Sequence, residues 1–141
     1  MEFITRSSEQ TTQLGEKIGE LLHGGEVIAF TGDLGAGKTT MTRGISLGMG
    51  LGDEVTSPTF ALLNIYQGDT LRLCHFDMYR IADSSQLESV SFYDCMDENT
   101  VIVIEWSENI ADELDDDTIY IDIKRIDDDT REININGGDF F

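Results

Sequence analysis

Basic side chains are scarce in this sequence. Its 141 residues include 9 Lys and Arg against 28 Asp and Glu, which gives a formal net charge of -19. Because a surface of this sign repels phosphate backbones, we expect the chain not to bind nucleic acid on its own. Two explanations of the acidic surface stay open: recognition of basic protein partners, and adaptation to high salt or a need for solubility.

Cysteines and long apolar stretches are scarce as well. Cys74 and Cys95 lack the spacing of metal ligands, so we expect buried free thiols in a reducing compartment. No apolar window approaches the length that spans a membrane, and the N-terminal residues do not resemble a signal peptide. These absences predict a soluble, cytoplasmic protein with no membrane partner. With 40% hydrophobic residues, the chain is expected to form one domain over residues 1–141.

Hydrophobic periodicity predicts two helices separated by a strand in the first third of the chain. Ser7 followed three residues later by Gln10 resembles a capping box, and apolar residues then recur at helical spacing until Gly24. Residues 26–31, which contain the apolar run 27–30, predict a short buried strand, and residues 38–47 predict the helix that follows it.

The remaining segments are predicted to be mostly strands, because they are β-prone and either alternate or are continuously apolar. The predicted elements are a hairpin at 60–66 and 71–77, a short helix at 83–90, a buried central strand at 101–104, and a half-exposed terminal hairpin at 119–124 and 131–136.

A glycine-rich segment, GDLGAGKTT, joins the first predicted strand to the helix after it. Its Gly-x4-Gly-Lys-Thr spacing is that of a P-loop, in which backbone N–H groups at a helix N-terminus surround a phosphate. The lysine would supply a positive charge, and the next threonine would offer a hydroxyl to Mg²⁺. The predicted nucleotide-binding residues here are Gly32, Asp33, Leu34, Gly35, Ala36, Gly37, Lys38, Thr39 and Thr40.

This strand-loop-helix context predicts an α/β fold. We expect a single P-loop NTPase domain with three layers, α/β/α, a mixed parallel and antiparallel sheet, and a C-terminal β-hairpin. A glycine-rich turn with a chance Lys-Thr pair is the alternative interpretation of the motif, and the correct context disfavours it.

Two acids follow predicted strands, where a magnesium nucleotide would need them. Asp77 ends the run 71–76, and Glu105 ends the run 101–104. Each carboxylate could coordinate Mg²⁺ or orient an attacking water. From spacing alone, a solvated acid at a strand end is an equally good interpretation of either one.

Three further residues have both a functional and a structural interpretation. Thr59 lies after the P-loop helix, where a sensor threonine or an ordinary turn around Pro58 would fit. Trp106 could contact a nucleotide or a partner, or cap a strand in the core. His75 is expected to be a packed, hydrogen-bonded side chain and not a base.

Four segments together resemble one known family. They are GDLGAGKTT at 32–40, TSPTF at 56–60, HFDMYR at 75–80 and IEW at 104–106. In this order they resemble the TsaE family of bacterial P-loop ATPases, over about residues 15–106. The loop is generic, whereas the three downstream segments are specific to the family.

The resemblance implies an ATPase that serves synthesis of threonylcarbamoyladenosine at position 37 of ANN-decoding tRNAs. Proteins of this family act with TsaB and the catalytic TsaD, and their ATP hydrolysis would reset that complex between turnovers. The modification chemistry would belong to the partner, and this protein would contact tRNA only indirectly, through its partners. ATP and Mg²⁺ are the implied cofactors.

The resemblance also assigns roles to residues. Lys38 and Thr39 would bind phosphates and Mg²⁺, and Glu105 would be the acid on the metal side. Asp77 would be a Walker B-like or water-orienting group, and Thr59 a switch residue. Which of the two acids orients water is left open.

Weaker similarity extends the implied site to both ends of the chain. Ser8, at the start of the first helix, and Arg131, in the terminal hairpin, would contact the nucleotide, and Trp106 would lie on a functional surface. Ser107 departs from the family, in which proline or alanine is frequent at that position.

Two functional hypotheses follow. The first is a Mg²⁺-dependent ATPase within a TsaB-TsaD assembly. The second is an ATP-gated binding module, in which nucleotide occupancy and not hydrolysis controls association. Weak hydrolysis by the isolated chain would suit it, because no obvious arginine finger lies beside the loop and only Arg43 and Arg80 are possible. A small-molecule kinase is weaker because no lid segment is recognisable, and GTP is disfavoured because no Asn-Lys-x-Asp motif occurs.

Overall fold

The computed structural model describes residues 1–32, 37–52, 55, 63–78, 92–105, 107, 110, 114 and 116–137. Within these ranges the elements are β1 (Glu2–Thr5), α1 (Ser8–Leu21), β2 (Val27–Gly32), α2 (Lys38–Gly48), β3 (Leu63–Gln67), β4 (Arg72–Asp77), a 3-10 turn (Tyr93–Cys95), β5 (Thr100–Glu105), β6 (Ile119–Arg125) and β7 (Arg131–Asn136).

The strands form one sheet with a parallel centre and antiparallel edges. Its order is β1-β7-β6-β2-β5-β4-β3. β2 pairs in parallel with both β5 and β6, and β4 pairs in parallel with β5. β3 and β4 form one antiparallel pair, and β6 and β7 form another. The α/β class, the mixed sheet and both predicted hairpins are therefore confirmed.

Alternation along the central strands divides the core between the two faces of the sheet. On β4, Leu73 packs with the helices α1 and α2 in one cluster, whereas Cys74 and Phe76 belong to a second cluster on the other face. That second face is covered by chain between the strands, including Phe92 and Ile110. Since strand side chains alternate with period two, residues 73, 75 and 77 face the helices.

The first helix begins as its capping sequence predicts. The backbone N–H of Gln10 donates to the Ser7 hydroxyl at 3.1 Å, and the N–H of Arg6 donates to the Gln10 side chain at 2.7 Å. Each contact satisfies a backbone donor near the start of the helix. The capping prediction for α1 is confirmed.

The two helices lie against each other through glycines. A Cβ at Gly19 would overlap the carbonyl oxygen of Ile45, and one at Gly48 would overlap that of Glu16. Gly15 and Gly44 are in equally close contact with the facing backbone. Only residues without a side chain permit this approach, so α1 lies directly on the P-loop helix.

One strand was not predicted. β1 (Glu2–Thr5) has four residues at the sheet edge, too few to give a recognisable alternation. It pairs antiparallel to β7, and β7 pairs antiparallel to β6, so β1 runs in the same direction as the central strands. Because α1 follows β1 directly, α1 begins at the edge of the sheet where the central strands end.

The prediction of buried free thiols is confirmed for Cys74 and Cys95. None of the helices in the described ranges is long and apolar enough to cross a membrane. The predicted helix at 83–90 lies outside the described residues.

Candidate functional site

The candidate site lies at the edge where the parallel strands end, the edge at which open α/β sheets bind ligands. β2 ends at Gly32, whose φ is +120° and whose Cβ would overlap the carbonyl oxygen of Ile123 on the neighbouring strand. Gly37 has φ +107° and is the N-cap of α2. Both positions therefore require glycine, and the strand-loop-helix context of a P-loop is present.

The start of α2 carries the functional groups predicted for phosphate binding. Lys38 is the first helical residue and is 7% exposed, while Thr39 and Thr40 are half-buried. The N-cap residue Gly37 has no side chain to cap this helix N-terminus, and the partial positive charge there favours an anion. Asp33, Leu34, Gly35 and Ala36 lie outside the described residues, and so does Thr59.

The two predicted acids are brought together by strand register. Asp77 and Glu105 are direct partners in the parallel pair of β4 and β5, and both are buried. Carboxylates on adjacent strands at one edge could act on the same ligand. Their predicted roles in metal binding and water orientation stay predictions.

Glu105 is held by a histidine from the adjacent strand. His75 Nε2 lies 2.7 Å from Glu105 Oε2, and His75 is fully buried. The prediction that His75 is a packed, hydrogen-bonded side chain is confirmed. Sequence reasoning did not identify its partner, although the β4–β5 pairing places it two residues before the Asp77–Glu105 step.

The segment after β5 is tied to the strand that leads into the P-loop. The buried Ser107 hydroxyl donates to the carbonyl oxygen of Phe30 at 3.1 Å. Proline or alanine at position 107 could not donate this bond, so this departure from the family pattern has a structural use that sequence reasoning missed. Trp106 lies outside the described residues.

Beside the P-loop is a cavity of about 200 Å³ formed by three distant parts of the chain. Ser8 and Arg131, the nucleotide contacts predicted near the two ends of the chain, both line this cavity next to the first turn of α2. A Cβ at Gly37 would lie 3.9 Å from Arg131 Nε. The cavity is lined by Ser7, Ser8, Thr11, Gly37, Thr40, Asp128, Asp129 and Arg131.

The β6–β7 turn holds Arg131 in place. Its Nη1 donates to the carbonyl oxygens of Asp127 at 2.7 Å and Thr130 at 3.0 Å. The turn is itself fixed by the Asp127 carboxylate, which accepts from the backbone N–H groups of Asp129 and Thr130 and consequently has a lowered pKa. The cation is therefore positioned by the fold before any ligand arrives.

Two acidic cavity residues, Asp128 and Asp129, were not predicted. The sequence marks them only as part of an acidic turn between two alternating strands. The Asp128 carboxylate already accepts from Arg125 Nη2 through Oδ1. Its second oxygen and the Asp129 carboxylate could accept hydrogen bonds from hydroxyl or amino groups, and the Asp129 charge would repel phosphate. The cavity therefore has a phosphate-binding side at α2 and an acceptor-rich side at the turn.

The oxygen donors at the strand ends fit a hard divalent cation. The described part of the chain contains no cluster of three or more His, Cys, Asp or Glu that could hold a metal ion. Mg²⁺ in nucleotide sites is usually held by one or two carboxylates together with phosphate and water. The Asp77 and Glu105 carboxylates are ligands of that type, and the Thr39 hydroxyl is a further oxygen donor.

Similarity to known proteins covers nearly the whole chain. Residues 5–133 match the family model described as "Threonylcarbamoyl adenosine biosynthesis protein TsaE". The tRNA threonylcarbamoyladenosine biosynthesis protein TsaE of Treponema pallidum (strain Nichols) is 39% identical over 135 residues, covering 96% of this chain and 99% of that protein. The Bacillus subtilis (strain 168) protein of the same name is 35% identical over 133 residues, covering 94% and 83%.

A solved structure gives the same result. The crystal structure of Bacillus subtilis YdiB matches with a TM-score of 0.76 and 31% identity, covering 96% of this chain and 83% of that one. The resemblance carried by the four sequence segments is thereby confirmed in both sequence and fold. The chain belongs to the TsaE family of threonylcarbamoyl adenosine biosynthesis proteins.

Proposed function

We propose that this protein is a Mg²⁺-dependent ATPase that serves formation of threonylcarbamoyladenosine at position 37 of ANN-decoding tRNAs. The observation that carries the proposal is the P-loop helix at the strand-end edge that also holds two buried, register-paired carboxylates. A phosphate site beside paired acids suits phosphoryl transfer to water, in which positioning and charge stabilisation do most of the work.

Each end of the nucleotide has a suitable set of residues. Lys38 and the N-terminus of α2 would bind the phosphates, and Thr39 would coordinate Mg²⁺, which supplies charge neutralisation when bound. Glu105 and Asp77 would coordinate the metal and orient water. The cavity beside Gly37, with Ser8, Arg131 and the acidic turn, would take the nucleoside end, because carboxylates accept from ribose hydroxyls and the adenine amino group.

Protein partners and a cytoplasmic location are part of the proposed function. We propose TsaB-like and TsaD-like proteins as partners, with hydrolysis supporting turnover of their complex in the cytoplasm. Contact with tRNA would be indirect, because a chain with a net charge of -19 repels a phosphate backbone. The acidic surface suits a protein partner that carries basic groups.

The alternative function is an ATP-gated binding module, in which occupancy and not hydrolysis controls partner association. It is favoured by the arginines that the structure describes near the loop. Arg131 is bound to turn carbonyls, and Arg43 Nη2 is directed to the carbonyl oxygen of Val55 at 3.5 Å. Arg80, the other possible arginine finger, lies outside the described residues. With the described guanidinium groups engaged, weak hydrolysis by the isolated chain is expected.

Reconstitution with TsaB, TsaD, threonylcarbamoyl-adenylate and tRNA tests the proposal. We expect a single round of modification without this protein, and repeated rounds when it is added with ATP and Mg²⁺. A non-hydrolysable ATP analogue should not support the repeated rounds. Repeated rounds with the analogue would establish the binding module, and an unchanged yield without this protein would refute both functions.

A further inference from the structure

His75 is a polar side chain placed where an apolar one would be expected. It is fully buried on β4 and lies on the helix-facing side of the sheet, two residues after the core residue Leu73. Burying an imidazole costs free energy unless its polar atoms are hydrogen-bonded. The residue therefore needs an explanation other than packing.

The polar contact of His75 in the described structure is the one with Glu105. Nε2 lies 2.7 Å from Glu105 Oε2, whereas the buried Nδ1 has no hydrogen-bond partner among the described residues. An Nε2–H donated to a carboxylate is a charge-assisted bond, which is shorter and stronger than a neutral one. Within the described structure, the hydrogen bond that orients the imidazole is therefore the one to Glu105.

The contact fixes a side chain that would otherwise rotate. Glu105 is the last residue of β5, and its side chain is 11% exposed at the edge where the P-loop helix begins. The bond to His75 engages one carboxylate oxygen, Oε2, and Oε1 takes no part in it. One oxygen of the carboxylate is therefore held by the histidine, and the other is outside this contact.

We propose that His75 is a positioning residue for Glu105: its imidazole holds the carboxylate in one orientation, so that the second oxygen is ready for the Mg²⁺-nucleotide. This inference rests on the proposed ATPase function. Groups that hold a metal-coordinating side chain from behind typically contribute about 10- to 100-fold to metal affinity or activity. Removing the His75 donor should have an effect of that size.

The test compares His75→Phe with His75→Gln, because the glutamine Nε2 can replace the lost donor. In the assay with partner proteins, we expect His75→Phe to lower kcat about 10- to 100-fold and to raise the KM for Mg²⁺-ATP, because the tightening of nucleotide binding by Mg²⁺ is lost. His75→Gln should restore most of kcat. Equal losses in both variants with equal thermal unfolding temperatures would overturn the proposal.

Cys74→Ala is the matched control for destabilisation. Cys74 is the neighbouring residue on β4 and is also fully buried, but it packs on the opposite face. This variant should lower thermal stability and leave kcat within about twofold of the wild type. If Cys74→Ala lowers kcat as much as His75→Phe does, the effect belongs to strand stability and the positioning role is refuted.

A double variant tests whether His75 acts through Glu105. Residues that act as a unit give non-additive losses. In a Glu105→Gln background, where the carboxylate is already absent, we expect His75→Phe to lower the residual rate less than about twofold. A full additional 10- to 100-fold loss would show an independent role and contradict the proposal.

Nucleotide binding separates failure of this inference from failure of the proposed function. Affinity for a fluorescent ATP analogue is measured with and without Mg²⁺; we expect His75→Phe to retain metal-free affinity and lose most of the tightening by Mg²⁺. A wild type that shows the tightening but never hydrolyses ATP would refute the ATPase proposal alone. A His75→Phe variant with unchanged tightening and unchanged kcat would refute the positioning role alone.

Discussion

At the scale of single residues, Lys38 and the two acids should affect different steps. Lys38 is 7% exposed at the first position of α2 and would contact phosphate directly, whereas Asp77 and Glu105 lie at strand ends. We expect Lys38→Ala to abolish detectable ATP binding, and Asp77→Asn or Glu105→Gln to retain binding but reduce hydrolysis about 100-fold or more. Calorimetric binding and phosphate release measure the two steps separately.

The control for this prediction is Lys17→Ala, which removes the same charge from an exposed position on α1. It should leave both binding and hydrolysis unchanged. An acid variant that sustains multiple rounds of tRNA modification would show that its carboxylate has no part in hydrolysis.

The Cys74 thiol predicts a pH dependence of stability. Burial, and then the hydrogen bond with the neighbouring Cys95 thiol, raise the pKa of Cys74 from 9.0 to about 12. Above pH 9 the unfolded chain loses this proton while the folded protein keeps it, so stability is complete below pH 9 and falls as pH rises toward 12. From about pH 7.5 to about pH 10 the loss due to this group is on the order of 1 kcal/mol.

Urea unfolding of the wild type and Cys74→Ala at the two pH values measures this contribution. The wild type should lose more stability than the variant over the same interval, whatever their difference at neutral pH. Parallel pH dependences would mean that Cys74 ionises in the folded protein as readily as in the unfolded chain.

At the scale of elements, the sequence predicted what depends on local pattern. The capped first helix, the P-loop helix and both hairpins follow from caps, glycines and alternation within about ten residues. β1 was missed because four residues at an edge give no readable pattern, and its position is decided by pairing with β7, more than 120 residues away. Long-range pairing is the information that local patterns lack.

The glycine contact between α1 and α2 makes a prediction for the helix pair. A Cβ at Gly19 would overlap the backbone of Ile45, which cannot rotate away as a side chain could. Gly19→Ala should therefore displace α1 and cost about 1–3 kcal/mol, despite the better helix propensity of alanine. Urea unfolding checks the stability, and Gln13→Ala, at an exposed position of the same helix, is the control.

Because the start of α1 lines the cavity beside the P-loop, Gly19→Ala should also weaken nucleotide binding. Gln13→Ala should change neither property. A Gly19→Ala protein as stable as the wild type would show that the helices separate without cost.

At the scale of the whole molecule, strand order explains which parts of the site could be predicted. Asp77 and Glu105 could be identified because each acid directly follows a recognisable strand. The cavity formed by Ser8, Gly37 and Arg131 could not be derived from spacing, because it requires β7 to lie next to β6 and β1 next to β7 at the sheet edge. Family resemblance suggested Ser8 and Arg131, and only the fold places them together.

The net charge of -19 predicts how the entire protein responds to salt. Repulsion among acids opposes the compact state, and the Debye length falls from about 10 Å at 0.1 M salt to about 3 Å at 1 M. We therefore expect the urea midpoint of unfolding to rise between these KCl concentrations. A midpoint that stays constant or falls would mean that local ion pairs, such as Arg72 with Asp97 at 3.3 Å, outweigh the net repulsion.

The same salt series distinguishes the two explanations of the acidic surface. If the surface recognises a basic partner, association with the TsaB–TsaD complex should slow as KCl rises, because steering between opposite charges is screened. If the surface is an adaptation to salt, the association rate should change little while stability still rises. Stopped-flow association and urea unfolding, measured on the same protein in the same buffers, assign the charge to one role or the other.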